Sequence, residues 1–139
     1  MKVKAYLAGP EVFLPQAAEI GREKVAICAR HGIEGIYPLD AALDLSRLPK
    51  PLAADAIFRA NRAAMARADL IIANMTPFRG ISMDPGTAFE MGFCSALEKP
   101  VLAYTNRCGS YLMRALAAGL CRGGADPDGL LIEDFDLAE

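Results

Sequence analysis

The sequence lacks several patterns that identify common classes of protein. It contains a single histidine, His31, so a histidine-dependent catalytic triad is not expected. Its four cysteines form no CxxC pair and no spacing typical of a zinc finger, and we therefore expect no metal site. Neither GxGxxG nor the P-loop pattern occurs, which disfavours a dinucleotide-binding protein or a P-loop nucleotidase.

The chain also lacks runs of one charge and long apolar segments. Its 139 residues carry a formal net charge of -2 without a cluster of Lys or Arg, so no nucleic-acid partner is expected. No apolar run approaches the roughly 18 residues that a membrane span needs, so we expect a cytoplasmic protein without a membrane partner. With 53% hydrophobic and 23% charged residues, and no repeat or linker, residues 1–139 are predicted to form one globular domain.

Short apolar segments, interpreted as buried strands, alternate with segments of helical apolar spacing. The strands are predicted at Val3–Ala8, Gly35–Tyr37, Asp69–Met75, Val101–Tyr104 and Leu130–Ile132. The helices are predicted at Ala17–His31, Ala53–Ala68, Gly86–Leu97 and Ser110–Leu120, with a corner at Gly123–Gly124. This order predicts an α/β fold: a flavodoxin-like, doubly wound, five-stranded parallel sheet with helices on both faces.

Three loops follow predicted strands and should meet at the carboxyl edge of the sheet, where ligands of such folds bind. We select the candidate substrate-binding residues from these loops: Gly9, Pro10, Asp40, Arg79, Gly80, Asp84 and Gly86. Within this set, Arg79 is a cation that could neutralise a phosphate.

The loop after the third predicted strand is the most informative. Asp84 precedes Pro85, as an acidic cap precedes the first turn of a helix. Glu90 follows less than two turns later beside Phe89, and a carboxylate in such apolar surroundings is placed as an enzymic nucleophile requires. Each residue also has a structural interpretation: Asp84 as a cap only, Glu90 as a solvated helix residue and Tyr6 as a core residue.

Four segments together resemble the nucleoside 2-deoxyribosyltransferase family. They are Tyr6–Pro10, Ala68–Asn74, Asp84–Phe93 and Lys99–Val101. The most specific part is the Asp-x-Gly-Thr-Ala-x-Glu-x-Gly element in the third segment. The resemblance implies a flavodoxin-like enzyme that forms a homo-oligomer, with a neighbouring subunit completing each site.

The resemblance also implies roles for individual residues. Glu90 would attack the anomeric carbon of a deoxynucleoside, Tyr6 would orient that carboxylate, and Asp84 would hold the 5'-hydroxyl of the sugar. Asn61 stands where some members have a base-contacting Asp, and the Asn of the family's C-terminal Asn-Leu-Met segment is absent before Glu139. The implied partners are a nucleoside and a free base, and no cofactor is needed.

Two alternatives remain open from the sequence. One is an N-glycosidase of nucleoside 5'-monophosphates, which Asp84 disfavours because a carboxylate repels phosphate, whereas Arg79 favours it. The other is a nucleotide-binding module without catalysis. The presence of Tyr6, Asp84 and Glu90 together favours an enzyme, whereas Asn61 and the missing terminal Asn favour the silent module. A panel of deoxynucleosides tested for release of free base would separate these possibilities.

Overall fold

Four parallel strands form the central sheet of this computed structural model, which describes residues 2–38, 48–125 and 131–133. The strands lie in the order β2-β1-β3-β4, the order of the first four strands in a flavodoxin-like sheet. Their bounds are β1 Val3–Ala8, β2 Ile33–Ile36, β3 Leu70–Asn74 and β4 Val101–Tyr104. The α/β class and the parallel pairing are therefore confirmed for the first four predicted strands.

The predicted fifth strand forms, but in the described residues it does not join the parallel sheet as predicted. Leu131–Glu133 (β6) pairs antiparallel with Cys121–Ala125 (β5), as a two-stranded sheet separate from the main one. Only residues 126–130 connect the two strands, and a parallel crossover needs about a dozen residues or more. The predicted corner at Gly123–Gly124 is wrong, since both glycines lie inside β5. Glycine weakens a strand but does not exclude one.

Side chains of β1 point alternately to the two faces of the sheet, as the pleat of a strand requires. Ala5 and Leu7 pack in the core cluster beside helix α1 (Ala17–Arg30). Tyr6 and Ala8 pack in the other cluster, with residues of α2 (Lys50–Arg67) and α3 (Pro85–Ala96). Helices therefore cover both faces, as predicted, and Tyr6 belongs to the face that carries α3.

Helix α2 begins three residues earlier than the sequence predicts. The prolines at its start favour a loop in a sequence interpretation, but Pro51 lies in the first turn, where a missing N–H has no cost. At the other end, the Lys99 ammonium donates to the carbonyl oxygens of Met65 and Ala66, each at 2.7 Å, and also to that of Ala68. A cation at this end interacts favourably with the carbonyls of the last turn and fixes α2 beside the end of α3.

The remaining helix, α4, covers Tyr111–Ala117 and begins at Ser110, whose hydroxyl accepts a hydrogen bond from the Met113 N–H. Among the described helices, none combines the length and the apolar character that crossing a membrane would take.

Candidate active site

Glu90 and Tyr6 meet between helix α3 and strand β1. The Tyr6 hydroxyl donates a hydrogen bond of 2.6 Å to Oε1 of Glu90. Tyr6 is fully buried in the sheet, whereas Glu90 is half-buried in the second turn of the helix. The predicted proximity of these two side chains, 84 residues apart in sequence, is confirmed. A buried hydroxyl requires an acceptor, so the bond also fixes the orientation of the carboxylate.

The surroundings of Glu90 shift its protonation equilibrium. Burial raises the pKa of Glu90 to about 7, against the opposing effect of the hydrogen bond from Tyr6, and the charge of Asp84 raises it further. Burial, the charge of Glu90 and the shared hydrogen bond raise the pKa of Tyr6 far above its ordinary value. Tyr6 therefore remains a neutral hydrogen-bond donor, while Glu90 changes charge near neutral pH.

Asp84 is the N-cap of α3. Its Oδ2 atom accepts hydrogen bonds from the backbone N–H of Thr87 at 2.8 Å and from the Thr87 hydroxyl at 3.1 Å. A Cβ atom at Gly86 would lie 2.9 Å from the same oxygen, so glycine permits the close approach of the cap. The cap interpretation of Asp84 is confirmed, and the buried carboxylate also acts electrostatically on Glu90.

A cavity of about 300 Å³ opens beside Glu90, between α2 and α3. Asn61 of α2 and Gly86 of α3 line it together with Glu90, so the structure brings three of the predicted site residues to one cavity. The other lining residues are mainly apolar: Ala54, Ile57, Phe58, Met65 and Phe89. An apolar cavity with a carboxylate and an amide at its wall is a typical small-molecule site.

Arg79, Gly80 and Asp84 line a separate depression of about 430 Å³ in the loop after β3. Arg79 adopts a left-handed backbone conformation with φ of 54°. Its guanidinium carbon lies 4.8 Å from the ring centre of Phe78 and 5.3 Å from that of Phe13. The two rings stack with 5.4 Å between their centres, and within the described ranges Arg79 forms no salt bridge.

Sequence reasoning missed the two phenylalanines of this cluster. Phe13 lies in the short 3-10 turn after β1, and Phe78 in the loop after β3. A weak signal was available, since both stand in loops predicted to meet at the carboxyl edge, and Phe78 directly precedes Arg79. The pairing itself is a tertiary contact that no local pattern encodes.

The remaining predicted residues do not line the cavity of Glu90. Gly9 packs under the first loop, where an added Cβ would lie 2.0 Å from Oε2 of Glu11. Pro10 lines a cavity of about 740 Å³ beside α1, on the opposite face of the sheet. Asp40 lies outside the described residues.

No three His, Cys, Asp or Glu side chains cluster in a way suited to a metal ion within residues 2–38, 48–125 and 131–133.

Comparisons with known proteins agree with this architecture. The sequence profile of the nucleoside 2-deoxyribosyltransferase family matches residues 5–139. The chain is similar to an uncharacterised protein of Schizosaccharomyces pombe, with 33% identity over 144 residues, 91% of this chain and 68% of that protein. The chain thus belongs to the nucleoside 2-deoxyribosyltransferase family.

Solved structures of two named 2-deoxyribosyltransferases are also similar. The 2-desoxiribosyltransferase of Leishmania mexicana has 28% identity and a TM-score of 0.69, covering 96% of this chain and 79% of that one. The 2-deoxyribosyltransferase of Bacillus psychrosaccharolyticus has 20% identity and a TM-score of 0.63, covering 92% and 82%, which supports the fold alone.

The charge state of Glu90 provides a direct test of this geometry. We expect carboxyl-carbon NMR to give Glu90 a pKa of about 7. Tyr6→Phe removes a bond that favours the carboxylate and should raise this pKa. Asp84→Asn removes a repelling charge, retains a capping side chain and should lower it. A wild-type pKa near 4.5, or the same value in all three proteins, would contradict the assignment.

Proposed function

We propose that this protein is a nucleoside 2-deoxyribosyltransferase that cleaves the N-glycosidic bond of 2'-deoxynucleosides through a covalent glycosyl–Glu90 intermediate. The observation that carries the proposal is the half-buried Glu90 carboxylate, held by the Tyr6 hydroxyl at 2.6 Å beside an apolar cavity. Membership of the family and the similar 2-deoxyribosyltransferase of Leishmania mexicana support it.

Two displacements account for the reaction. In the first, a Glu90 oxygen forms a bond to the anomeric carbon while the bond from that carbon to the base nitrogen breaks, and the departing base takes up a proton. In the second, a nitrogen of another base, or a water oxygen, attacks the same carbon, loses its proton and releases the Glu90 carboxylate. Both steps invert the carbon, so the product retains the original configuration, and neither step requires a metal or a redox cofactor.

Tyr6 and Glu90 have different roles in the first step: Tyr6 orients the carboxylate, and Glu90 attacks the sugar. Oε1 of Glu90 accepts the Tyr6 hydrogen bond, which leaves Oε2 to approach the sugar. The transition state has oxocarbenium character, and a nearby carboxylate stabilises its positive charge more strongly where water is excluded. Because Tyr6 stays protonated, it also stabilises Glu90 as the leaving carboxylate of the second step.

Asn61 lines the same cavity as Glu90 and is our candidate for contact with the base. Its amide both donates and accepts hydrogen bonds, as a nucleobase edge requires, but it does not supply a proton. The proton for the departing base therefore comes from solvent or another side chain. Gly9, Pro10, Asp40, Gly80 and Gly86 remain predicted binding residues of the loops and the start of α3.

Removal of the nucleophile tests the mechanism. Glu90→Ala should reduce release of base from a panel of deoxynucleosides by at least roughly a thousandfold, because the covalent route is lost. The panel is run with and without an acceptor base, which separates transfer from hydrolysis. Turnover close to wild type in the folded variant would refute Glu90 as the nucleophile, and no release by the wild type would favour a silent binding module.

Glu90→Gln supplies a control for folding. The folded-state pKa of Glu90 is raised to about 7 from 4.5, so the folded protein keeps a proton that the unfolded chain releases between these values. The free energy of unfolding therefore decreases as pH rises through that window. The uncharged glutamine avoids this loss, so the variant should be at least as stable as wild type at pH 8 while remaining inactive.

The 5'-monophosphate N-glycosidase remains the second candidate, and one observation favours it. Arg79 lies exposed over Phe13 and Phe78, and within the described part of the chain it is not paired with a carboxylate. Its guanidinium could therefore bind a phosphate. Asp84 opposes this, since a buried carboxylate lining the same depression repels the anion. One cation cannot offset both the carboxylate and a dianion, so we favour the nucleoside.

Substrate preference at the 5' position tests the role of Asp84. Wild type should prefer a deoxynucleoside over its 5'-monophosphate by about ten- to a hundredfold in kcat/KM, by the Coulomb estimate. Asp84→Ser retains an N-cap residue and should reduce this preference, whereas Arg79→Gln should increase it. A wild-type preference for the monophosphate would overturn the interpretation, and an unchanged ratio in Asp84→Ser would reduce Asp84 to a helix cap.

We also propose that the protein is a homo-oligomer. The rim of the Glu90 cavity exposes large apolar side chains of α2 and α3, with Ile57 at 42%, Phe58 at 44% and Phe89 at 46% exposure. Apolar groups clustered in this way are typical of an interface, and a neighbouring subunit there would close the cavity. Light scattering at micromolar concentration should give a multiple of the chain mass. A monomer mass would contradict the proposal.

A further inference from the structure

Glu11 is a buried carboxylate at the start of the loop after β1, and it collects contacts from three other elements. Its Oε1 atom accepts hydrogen bonds from the ammonium of Lys24 on α1 and from the Asn74 amide at the end of β3, the latter at 2.7 Å. The Tyr104 hydroxyl at the end of β4 lies 3.5 Å from the same oxygen. One atom thus joins elements from across the sheet at its carboxyl edge.

The contacts continue from Asn74 into the loop after β3. The side-chain oxygen of Asn74 accepts from the Thr76 N–H at 3.0 Å and from the Thr76 hydroxyl at 2.5 Å. The Thr76 hydroxyl in turn accepts from the Asn106 N–H at 2.9 Å. Glu11 therefore reaches, through Asn74 and Thr76, the loop that leads to Asp84 and α3.

A second connection between the same two loops is apolar. Phe13, two residues after Glu11, stacks on Phe78, two residues after Thr76. Arg79 lies over both rings. Polar contacts on the inside and aromatic contacts on the outside thus hold the loop after β1 against the loop after β3.

The Glu11 arrangement combines favourable contacts with a cost of burial. Glu11 is 8% exposed, and its Oε2 atom is buried without a hydrogen-bond partner among the described residues. Burial alone would raise the pKa of Glu11, but the hydrogen bonds from Lys24 and Asn74 and the charge of Lys24 lower it below its ordinary value. A buried ion pair seldom stabilises a protein more than apolar residues of the same size, and it can instead specify one arrangement of its neighbours.

We propose that Glu11 is a positioning residue, which fixes the loop after β1 against the loop after β3 and thereby places the depression of Arg79 and Asp84 relative to Glu90. It acts through Asn74 and Thr76 and does not touch the substrate. The catalytic part of this proposal rests on the proposed function, whereas the coupling of the two loops does not.

The test replaces Glu11 with glutamine, which keeps its size and removes its charge. A second variant, Glu11→Gln with Lys24→Met, also removes the cation that the first leaves unpaired. Glu34→Gln is the matched control, because it makes the same change in an exposed ion pair, with Lys4 at the other end of the sheet. Each protein is compared below its unfolding temperature, so that folded molecules are measured.

Two readouts separate the coupling from the chemistry. Hydrogen exchange should become faster in the loop of residues 76–84 in both Glu11 variants, and remain as in wild type in Glu34→Gln. The kcat/KM for release of base should decrease by roughly tenfold or more in both Glu11 variants, since small displacements of a substrate site have large effects on rate. Loss of stability alone would change the fraction of folded protein but not kcat/KM per folded molecule.

The outcomes are distinct. Faster exchange confined to residues near position 11 would overturn the coupling of the two loops. Wild-type kcat/KM in both Glu11 variants would overturn the positioning role of Glu11 in catalysis. If wild type releases no base, the proposed function fails, and the exchange of residues 76–84 still decides whether Glu11 couples the loops.

Discussion

The hydrogen bond from Tyr6 to Glu90 is the contact on which the candidate site depends. It joins the centre of the sheet to α3, and a fully buried hydroxyl deprived of its acceptor would cost about 1–3 kcal/mol. Helix α3 must therefore be rotated about its axis so that Glu90 faces Tyr6. The Asp84 side chain caps the start of α3, and Lys99 fixes α2 beside the end of α3.

The electrostatics of the site follow from the same arrangement. Burial and the charge of Asp84 make the Glu90 carboxylate costly to ionise, while Tyr6 offsets part of this cost. In the proposed role of Glu90 as nucleophile, such a carboxylate would be more reactive than one in water, because fewer water molecules must leave before it attacks. The fold accepts a destabilising charge at this position, a frequent property of functional sites.

Much of the fold and of the candidate site could be predicted from the sequence, because both depend largely on local patterns. Short apolar segments bounded by Gly or Pro predict the first four strands. The spacing from Asp84 to Glu90 predicts the helix cap and the position of the carboxylate near the start of α3. The Glu11–Asn74 bond spans 63 residues and the Phe13–Phe78 stack a similar separation, so no local pattern reveals them. The β5–β6 hairpin was missed because three apolar residues do not distinguish a fifth parallel strand from an antiparallel one.

Asp84 both caps α3 and acts electrostatically on Glu90, and this combination restricts which residues can replace it. The residue there must accept the Thr87 N–H, so only side chains that cap a helix well are tolerated without loss of fold: Asp, Asn, Ser and Thr. Of these four only Asp is charged, and under the proposed role of Asp84 this charge bears on which group a substrate can carry at its 5' end. Helix capping thus limits the residues tolerated at position 84 to a handful. Under the proposed role of Asp84, a change of one codon would alter substrate preference while the cap and the fold are kept.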